Sequence, residues 1–337
     1  AVLLVFYEHS ASVEGIQLTP YFYVIGIGKA GVYMFFVLSA YLLTRSLLRT
    51  GISWKYYVRR FLRIAPLYYL LLTGVLFYQQ IIGGIDYGTV YINYGLRGYI
   101  EHLLFVRGDY LLWTIPVEFQ FYFLLPLFIL LIVRFGRIGV VGLIIFGFLF
   151  SCLSYLINSE TIEDLTLAIP LVSSMHSYDV FIAGMLTAVL VSSYRKIPDF
   201  GSRKQLMDLI FLSVFICAIS MTLLGSRQFL VFQEIFPDLK YVTLFYAVSW
   251  SLCVYSLAIG NPFLEKLLSF QWLQTIGKCC FSWYLLHLVV FRICAPLLNS
   301  IAPNMNFMNL VIITLITYYV CKFTFHYIER PFMKMVR

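Results

Sequence analysis

The sequence predicts an all-α integral membrane protein, a polytopic bundle of about ten transmembrane helices that forms one domain over residues 1–337. Of its 337 residues, 61% are hydrophobic and only 12% are charged, whereas about a quarter of the residues of a soluble domain are charged. The apolar runs are too long and unbroken for the alternating strands of a transmembrane β-barrel. Helices, which satisfy their own backbone hydrogen bonds in lipid, are therefore the predicted elements.

The apolar runs place these helices along the chain. A helix needs about 20 residues to cross a hydrocarbon core about 30 Å thick. The runs that approach this length are residues 1–13, 30–50, 64–82, 111–133, 138–157, 176–194, 206–225, 239–260, 279–298 and 307–328. Because the sequence starts at Ala1 inside an apolar run, we expect the first helix to be truncated at its N-terminus. We see no internal repeat and no appended soluble domain.

The basic residues predict the orientation. Lys and Arg cluster in alternate connections between the runs, which places these connections on one face, and cytoplasmic loops of membrane proteins carry such an excess. We therefore expect both termini to be cytoplasmic, and we attribute the net charge of +8 to these loops rather than to nucleic-acid binding. The clustered residues are Arg45, Arg49, Lys55, Arg59, Arg60, Arg63, Arg134, Arg137, Arg195, Lys196, Arg203, Lys204, Lys266, Lys278, Arg330, Lys334 and Arg337.

Three ionisable residues inside the apolar runs are candidate site residues, because a charge in the membrane interior is costly. His9 is expected near mid-bilayer, and Glu118 about 10 Å below the start of its helix at a rise of 1.5 Å per residue. His287 lies in the middle of its run. For each residue the alternative is a structural hydrogen bond to a neighbouring helix. His176, Asp179, His326 and Glu329 lie nearer helix ends, where snorkelling makes a charge inexpensive.

Arginines form the second candidate site. Arg59, Arg60 and Arg63 are three or four residues apart, so their guanidinium groups are predicted to converge over one helical turn. Planar guanidinium groups bind phosphate in a bidentate manner. The alternative is an anchor for anionic lipids. The seven cysteines show neither a Cys-x-x-Cys motif nor a Cys/His ligand spacing, so no metal site and no disulfide framework is predicted.

Five segments carry a resemblance to a known family. In order along the chain they resemble successive blocks of the acyltransferase-3 family, whose members are membrane acyltransferases typified by bacterial O-acetyltransferases of surface polysaccharides. The segments span almost the whole chain. They are AGVYMFFVLSAYLLTRSL at 30–47, YYVRRFLRIAPLYYL at 56–70, LLWTIPVEFQFYFLLPL at 111–127, IGKCCFSWYLLHLVV at 276–290 and HYIERPF at 326–332.

The resemblance implies roles for these positions. His9 matches the histidine of the family's helix-one motif, whose basic partner would fall before Ala1. Arg60 and Arg63 match the family's Arg-x-x-Arg pair, which is associated with the acyl-CoA donor. Glu118 matches a glutamate position of the family, and His287 matches a histidine position in a late helix. Ala40 departs from the pattern, which usually has glycine there, and a small residue of this kind preserves close helix packing.

The resemblance further implies an acyltransferase of the bacterial cytoplasmic membrane. Such an enzyme moves an acyl group, most often acetyl, from cytoplasmic acyl-CoA to a hydroxyl of a carbohydrate such as an O-antigen, capsule or exopolysaccharide, including lipid-linked acceptors. Acetyl-CoA would be a co-substrate, and no tightly bound cofactor is expected. A neutral imidazole would act as a general base or carry the acyl group, with Glu118 orienting His9 as in a catalytic triad.

Three alternatives stay open at the level of the sequence. The first is another acyl group, such as succinyl. The second is N-acyl transfer to an amino sugar. The third, from a different functional class, is a transporter of lipid-linked glycans or small anions. Transporters of this kind tend to have repeated halves and interrupted helices.

Overall fold

Helices account for the regular structure of the chain. A computed structural model describes residues 1–11, 13, 27–82, 95–108, 110–158, 177–194, 210–219, 242–260, 266, 268–303 and 305–336, and these residues contain no strand. The connection at 195–204, His176 and residues 83–94 lie outside the described residues.

The described helices follow one another in this order: α1 (Val2–Ala11), α2 (Ile27–Thr50), α3 (Trp54–Ile82), α4 (Leu96–Leu103), α5 (Thr114–Phe135), α6 (Arg137–Asn158), α7 (Tyr178–Tyr194), α8 (Ile210–Ile219), α9 (Val242–Gly260), α10 (Gln271–Lys278), α11 (Cys280–Ile301), α12 (Asn306–Thr324) and α13 (Arg330–Lys334). A 3₁₀ turn at Tyr110–Trp113 precedes α5, and a π-helix at Phe325–Glu329 joins α12 to α13.

Each predicted apolar run overlaps one of these helices. Among the described residues, five helical segments are long and apolar enough to cross a membrane. They are Ile27–Thr50, Trp54–Phe77, Leu111–Phe135, Cys280–Ile301 and Asn306–Lys334. The all-helical membrane class is therefore confirmed, whereas the ten crossings and the cytoplasmic termini stay predictions.

Small residues let the helices around α2 approach closely. A Cβ atom at Gly31 would lie 2.7 Å from the carbonyl oxygen of Ala1, which directly precedes α1, and one at Gly184 of α7 would lie 2.9 Å from the Cβ of Ala40. Ala40 is fully buried. Small side chains at such interfaces allow the backbones to pack against each other. The alanine at position 40 is thus compatible with the tight α2–α7 contact.

Two predicted boundaries are wrong. Helix α3 begins at Trp54 rather than near residue 64, because its amphipathic first turns continue the apolar run, so all three clustered arginines belong to the helix. Glu329 does not lie at an exposed helix end: α12, the π-helix and α13 continue to Lys334, and its side chain is 1% exposed. Snorkelling therefore does not explain this charge.

The short helix α4 packs against α3. The hydroxyl of Tyr69 donates to the carbonyl oxygen of Leu103 at 2.7 Å, and the hydroxyls of Thr73 and Tyr99 lie 2.8 Å apart. On its surface the hydrogen bond from Arg97, at 2.9 Å, helps to hold the pKa of Glu101 below its usual value. The segment Leu96–Leu103 is therefore a helix that side-chain hydrogen bonds hold against α3.

Candidate active site

Helices α1 and α11 bring two of the predicted site residues together. The ring centroids of His9 and His287 are 5.3 Å apart, at an interplanar angle of 43°. Phe6 of α1 packs edge-on against Trp283 with a centroid distance of 5.5 Å, and it also contacts His287. His287 is fully buried, whereas His9 is half-buried. Residues far apart in sequence thus form a histidine pair inside the bundle.

The hydrogen bonds of His287 define its tautomer. Its Nδ1 lies 3.0 Å from the carbonyl oxygen of Trp283 and 2.9 Å from that of Tyr284. Because carbonyl oxygens only accept, we assign the proton to Nδ1, which leaves a lone pair on Nε2. That Nε2 is buried and has no hydrogen-bond partner in the described part of the chain. A buried acceptor of this kind is unusual and points to a functional role.

Glu118 has partners other than His9. Its side chain is 4% exposed, and its Oε1 accepts hydrogen bonds from the hydroxyl of Ser39, at 2.8 Å, and from that of Tyr122. It also interacts electrostatically with Arg60 and Arg63. These partners lie on α2, α3 and α5 itself, so groups other than His9 orient Glu118, and its expected role in orienting His9 stays a prediction.

Two of the three arginines share a basic pocket between the end of α2 and the start of α3. The Nε of Arg60 and the hydroxyl of Tyr56 are buried there without a hydrogen-bond partner in the described structure. The guanidinium of Arg60 lies 6.0 Å from the centre of the Tyr122 ring. The lining residues are Leu43, Ser46, Leu47, Thr50, Gly51, Ser53, Tyr56, Arg59 and Arg60. Unpaired donors and hydroxyls beside positive charges suit an anion.

Arg63 is engaged by the C-terminal helix instead. Its Nη1 forms an ion pair with Oε2 of Glu329 at 3.1 Å and lies 3.2 Å from the sulfur of Met333. Its Nη2 donates to the carbonyl oxygen of Lys278 at 3.3 Å, and the other oxygen of Glu329 accepts from Ser282. The predicted convergence of three guanidinium groups is therefore wrong: Arg63 points to the end of α10, the π-helix and α13, away from the pocket of Arg59 and Arg60.

An inner cavity lies between the arginines and the histidine pair, enclosed by α1, α2, α5 and α11. At its edge the hydroxyl of Thr114 donates to that of Tyr284 at 3.0 Å, and Tyr284 in turn donates to the carbonyl oxygen of Leu111 at 2.7 Å. Its lining consists of Val2, Val5, Gly31, Val32, Phe35, Thr114, Ile115, Glu118, Cys280, Phe281 and Tyr284. Most of these side chains are apolar.

Sequence reasoning missed three residues of this arrangement. Tyr122 follows Glu118 by four positions, and residues at this spacing are neighbours on a helix, so the pattern itself could have indicated the contact. Ser39 lies 79 positions from Glu118, and Ser282 lies 47 positions from Glu329. For the pairs that join different helices, no local pattern indicates a contact.

Comparisons with known proteins agree with the resemblance. The acyltransferase domain model of the acyltransferase-3 family matches residues 1–325. Over 347 residues the chain is 22% identical to the peptidoglycan O-acetyltransferase OatA of Listeria monocytogenes, a match that covers 91% of this chain and 51% of that protein. It is also 32% identical over 129 residues to nodulation protein 10 of Rhizobium leguminosarum bv. viciae, with 32% of this chain and 35% of that protein covered.

The match spans about half the length of OatA and about a third of nodulation protein 10. No solved structure matches the chain. Because the family model covers nearly all of the sequence, the chain belongs to the acyltransferase-3 family of membrane acyltransferases.

Proposed function

We propose that this protein O-acylates a carbohydrate, with acyl-CoA, most often acetyl-CoA, as the donor. Family membership supplies the class of reaction. The observation that carries the proposal is the histidine pair: His9 is half-buried beside a fully buried His287 whose Nε2 lone pair is unused. One imidazole is accessible to an acceptor, and the other is positioned to support it. OatA, an O-acetyltransferase by name, supports acetyl as the group and a glycan as the acceptor class.

The basic pocket is the proposed binding site for the CoA phosphates. Arg59 and Arg60 supply charge there, and Arg60 retains an unpaired donor. Guanidinium hydrogen bonds to phosphate are charge-assisted and therefore strong. We place this pocket on the cytoplasmic side, where acyl-CoA occurs and where the basic loops are predicted. The donor is a co-substrate, released as CoA after each turnover.

Helix α11 leads from the arginine end towards the histidines. Arg63 binds the carbonyl oxygen of Lys278, the last residue of α10, and α11 begins two residues later at Cys280. His287 follows seven residues after Cys280, about 10 Å along a helix. Cys280 and Tyr284 lie on the helix face that carries His287, because positions four and seven residues apart share a face. The inner cavity opens onto this face. We therefore propose that the acyl group reaches the histidine pair along this face.

In the proposed reaction His9 is the general base. It takes the proton of the acceptor hydroxyl while the hydroxyl oxygen attacks the thioester carbonyl carbon, and the CoA thiolate that leaves receives the proton. His287, with its free Nε2, stabilises the imidazolium on His9, which is the role of the third member in a catalytic triad. Glu118 is assigned to the donor side, beside Arg60 and Arg63.

Transfer of label tests this function. Membranes containing the wild-type protein or His9→Ala are incubated with radiolabelled acetyl-CoA and the membrane's own glycans, and label in the glycan fraction is measured. We expect label only with the wild type. Equal labelling by both would remove His9 from the mechanism. Label retained on His9 in the absence of glycans would replace direct transfer by an acyl-histidine relay.

Cysteine labelling tests the orientation. Ser53 lies beside the arginines and Ser300 lies near the other end of α11, and both are exposed. In a cysteine-free background, an impermeant thiol reagent should label Ser300→Cys on intact cells of a bacterial host, and Ser53→Cys only after permeabilisation. The reverse result would place the basic pocket on the side that lacks acyl-CoA.

A further inference from the structure

Glu8 is a charged residue of α1 that the proposed reaction does not use. It lies in the last turn of α1, which ends at Ala11, and it directly precedes His9. An ionisable side chain within an apolar run is costly unless it has a partner. One partner of Glu8 is a backbone group, because the amide nitrogen of Gly28, in the first turn of α2, donates a hydrogen bond to its Oε2.

This hydrogen bond completes the N-terminal end of α2. The first four amide groups of a helix have no carbonyl partner within that helix, and a carboxylate at this end also interacts favourably with the helix dipole. The oxygen that accepts such a bond usually belongs to the residue just before the helix. Here it belongs to another helix, 20 positions earlier in the chain. Glu8 therefore joins the end of α1 to the beginning of α2.

Glu8 and His9 lie on different faces of α1, because successive residues of a helix point about 100° apart. Leu4, one turn before Glu8, lies on the face that packs against α2. Phe6, three residues before His9, contacts His287 of α11. Two adjacent residues thus serve two interfaces: Glu8 binds α2, and the ring of His9 lies beside that of His287.

The position of His9 depends on this end of α1. The ends of helices fray, because their last carbonyl groups lack partners within the helix, and His9 lies two residues before the end. A general base must come within about 3 Å of the group from which it takes a proton. A displacement of about 1 Å can lower a rate about 100-fold. A helix end that carries a general base therefore has to be held in place.

We infer that Glu8 is the positioning residue for the proposed general base. Its hydrogen bond with the Gly28 amide holds the last turn of α1 against α2, and the imidazole of His9 is thereby kept beside His287. This inference rests on the proposed function and adds a residue to it. Glu8 acts through the backbone of α2 and not through a contact with either substrate.

Separate measurements of turnover and donor affinity test the inference. Glu8→Ala removes the acceptor of the Gly28 bond, so transfer of label from acetyl-CoA to glycan should slow about 100-fold, whereas the dissociation constant of acetyl-CoA should not change. Glu8→Gln keeps an oxygen that can accept the same bond and should restore most of the turnover. Glu8 also interacts electrostatically with His9, and the uncharged glutamine separates this effect from positioning. The control is Leu3→Ala on the same helix, because Leu3 is 36% exposed; it should keep the wild-type turnover.

Gly28→Ala tests the same bond from the side of α2. A Cβ atom at Gly28 would lie 2.5 Å from Oε2 of Glu8, so the carboxylate has to move. We expect this variant to lower turnover as Glu8→Ala does. The double variant should be no slower than either single variant, because the two residues act as a unit. The matched control is Gly74→Ala in α3, where a Cβ atom would meet no described atom within 4 Å.

Hydrogen exchange provides a measurement that does not depend on activity. Amide exchange of the full-length protein in lipid nanodiscs, followed by mass spectrometry, reports local opening. Glu8→Ala and Gly28→Ala should speed exchange in peptides that contain the end of α1 and the beginning of α2. Glu8→Gln and Leu3→Ala should leave this exchange at the wild-type rate.

The outcomes separate the inference from the proposed function. If the wild type transfers no label, the proposed function fails; faster exchange in Glu8→Ala would still support the α1–α2 connection, and unchanged exchange would overturn it. If the wild type transfers label and Glu8→Ala is equally fast, the positioning role is wrong while the proposed function stands. If Glu8→Gln is as slow as Glu8→Ala but exchanges like the wild type, the charge of Glu8 acts on His9 directly, and positioning is again wrong. If Glu8→Ala does not fold, Gly28→Ala, which keeps the carboxylate, decides.

Discussion

The two ends of the site differ in how their polar groups are satisfied. At the arginine end Arg63 is bound by a carboxylate, a carbonyl oxygen and a sulfur atom, all from the C-terminal third of the chain. At the histidine end the Nε2 of His287 is buried with no partner among the described residues. An ion pair completed within the protein fixes geometry, whereas an unused lone pair is available for chemistry. The difference suggests that the contacts of Arg63 hold the helices in place, whereas the histidines take part in the reaction.

The largest effect is expected at the histidine end. His9→Ala removes the proposed general base, so the turnover number should fall by about 10²- to 10⁴-fold while the dissociation constant of acetyl-CoA changes little. The matched control is His102→Ala, because His102 is also buried and its Nδ1 also lies close to a carbonyl oxygen four residues earlier, at 2.7 Å. This control should retain activity.

A double variant sharpens the same prediction. If His287 acts through His9, His287→Gln should lower turnover alone but should add little to His9→Ala, because residues that act as a unit are not additive. Rates are measured in membranes at equal protein abundance. Effects that multiply would instead assign the two histidines independent roles.

The next effect concerns Glu329, at the arginine end. Removing one partner of a buried ion pair leaves the other charge without compensation and costs about 3–5 kcal/mol. Because Arg63 is 19% exposed, we expect Glu329→Gln to lower the free energy of unfolding by about 3 kcal/mol, the lower end of that range. Thermal unfolding in nanodiscs measures the loss.

The surface carboxylate Glu101 provides the matched control for Glu329. It pairs with Arg97 at 2.9 Å on an exposed helix, and exposed pairs contribute only about 0–1 kcal/mol. Glu101→Gln should therefore change stability little. If Glu329→Gln changed the free energy of unfolding equally little, the ion pair with Arg63 would not be a structural element of the site.

Substitution of Arg60 should have a smaller effect, and this effect should be on the affinity for the acyl-CoA donor. Loss of a charge-assisted hydrogen bond costs about 1.5–3 kcal/mol, so Arg60→Ala should raise the dissociation constant of acetyl-CoA by about 10- to 150-fold. Arg60→Lys should restore part of this loss, since an ammonium group cannot bind phosphate in a bidentate manner. Unchanged donor affinity with reduced membrane abundance would favour a lipid anchor instead.

The sequence predicted the helices better than the contacts between them. Hydropathy is a property of a local window, and for that reason every apolar run overlapped a helix. It also indicated His9 and His287 as unusual residues. Their proximity depends on the packing of α1 against α11, which no local pattern contains.

Glu329 is a clearer example of a contact that the local sequence does not predict. Its sequence position suggested an exposed end, but a π-helix continues the chain and buries the carboxylate against Arg63, 266 positions earlier. A charge is tolerated inside the bundle only when its partner is present, and here the partner lies on a distant helix. Tyr122 is the contrasting case, because its contact with Glu118 lies within one helix and follows from their spacing.

The smallest predicted effect lies between the two ends, at Ser39. Its hydroxyl donates to Glu118 at 2.8 Å, while Tyr122 donates to the same oxygen. Ser39→Ala removes one of two donors, and a typical hydrogen bond contributes about 1 kcal/mol, so the KM for acetyl-CoA should rise about fivefold. Turnover should be unchanged, because Glu118 is assigned to the donor side. Ser256→Ala is the control, since this buried hydroxyl donates at 2.9 Å to Cys253 of its own helix. If Ser39→Ala lowered turnover but left KM unchanged, Glu118 would belong to the histidine end, and the division between the two ends would be wrong.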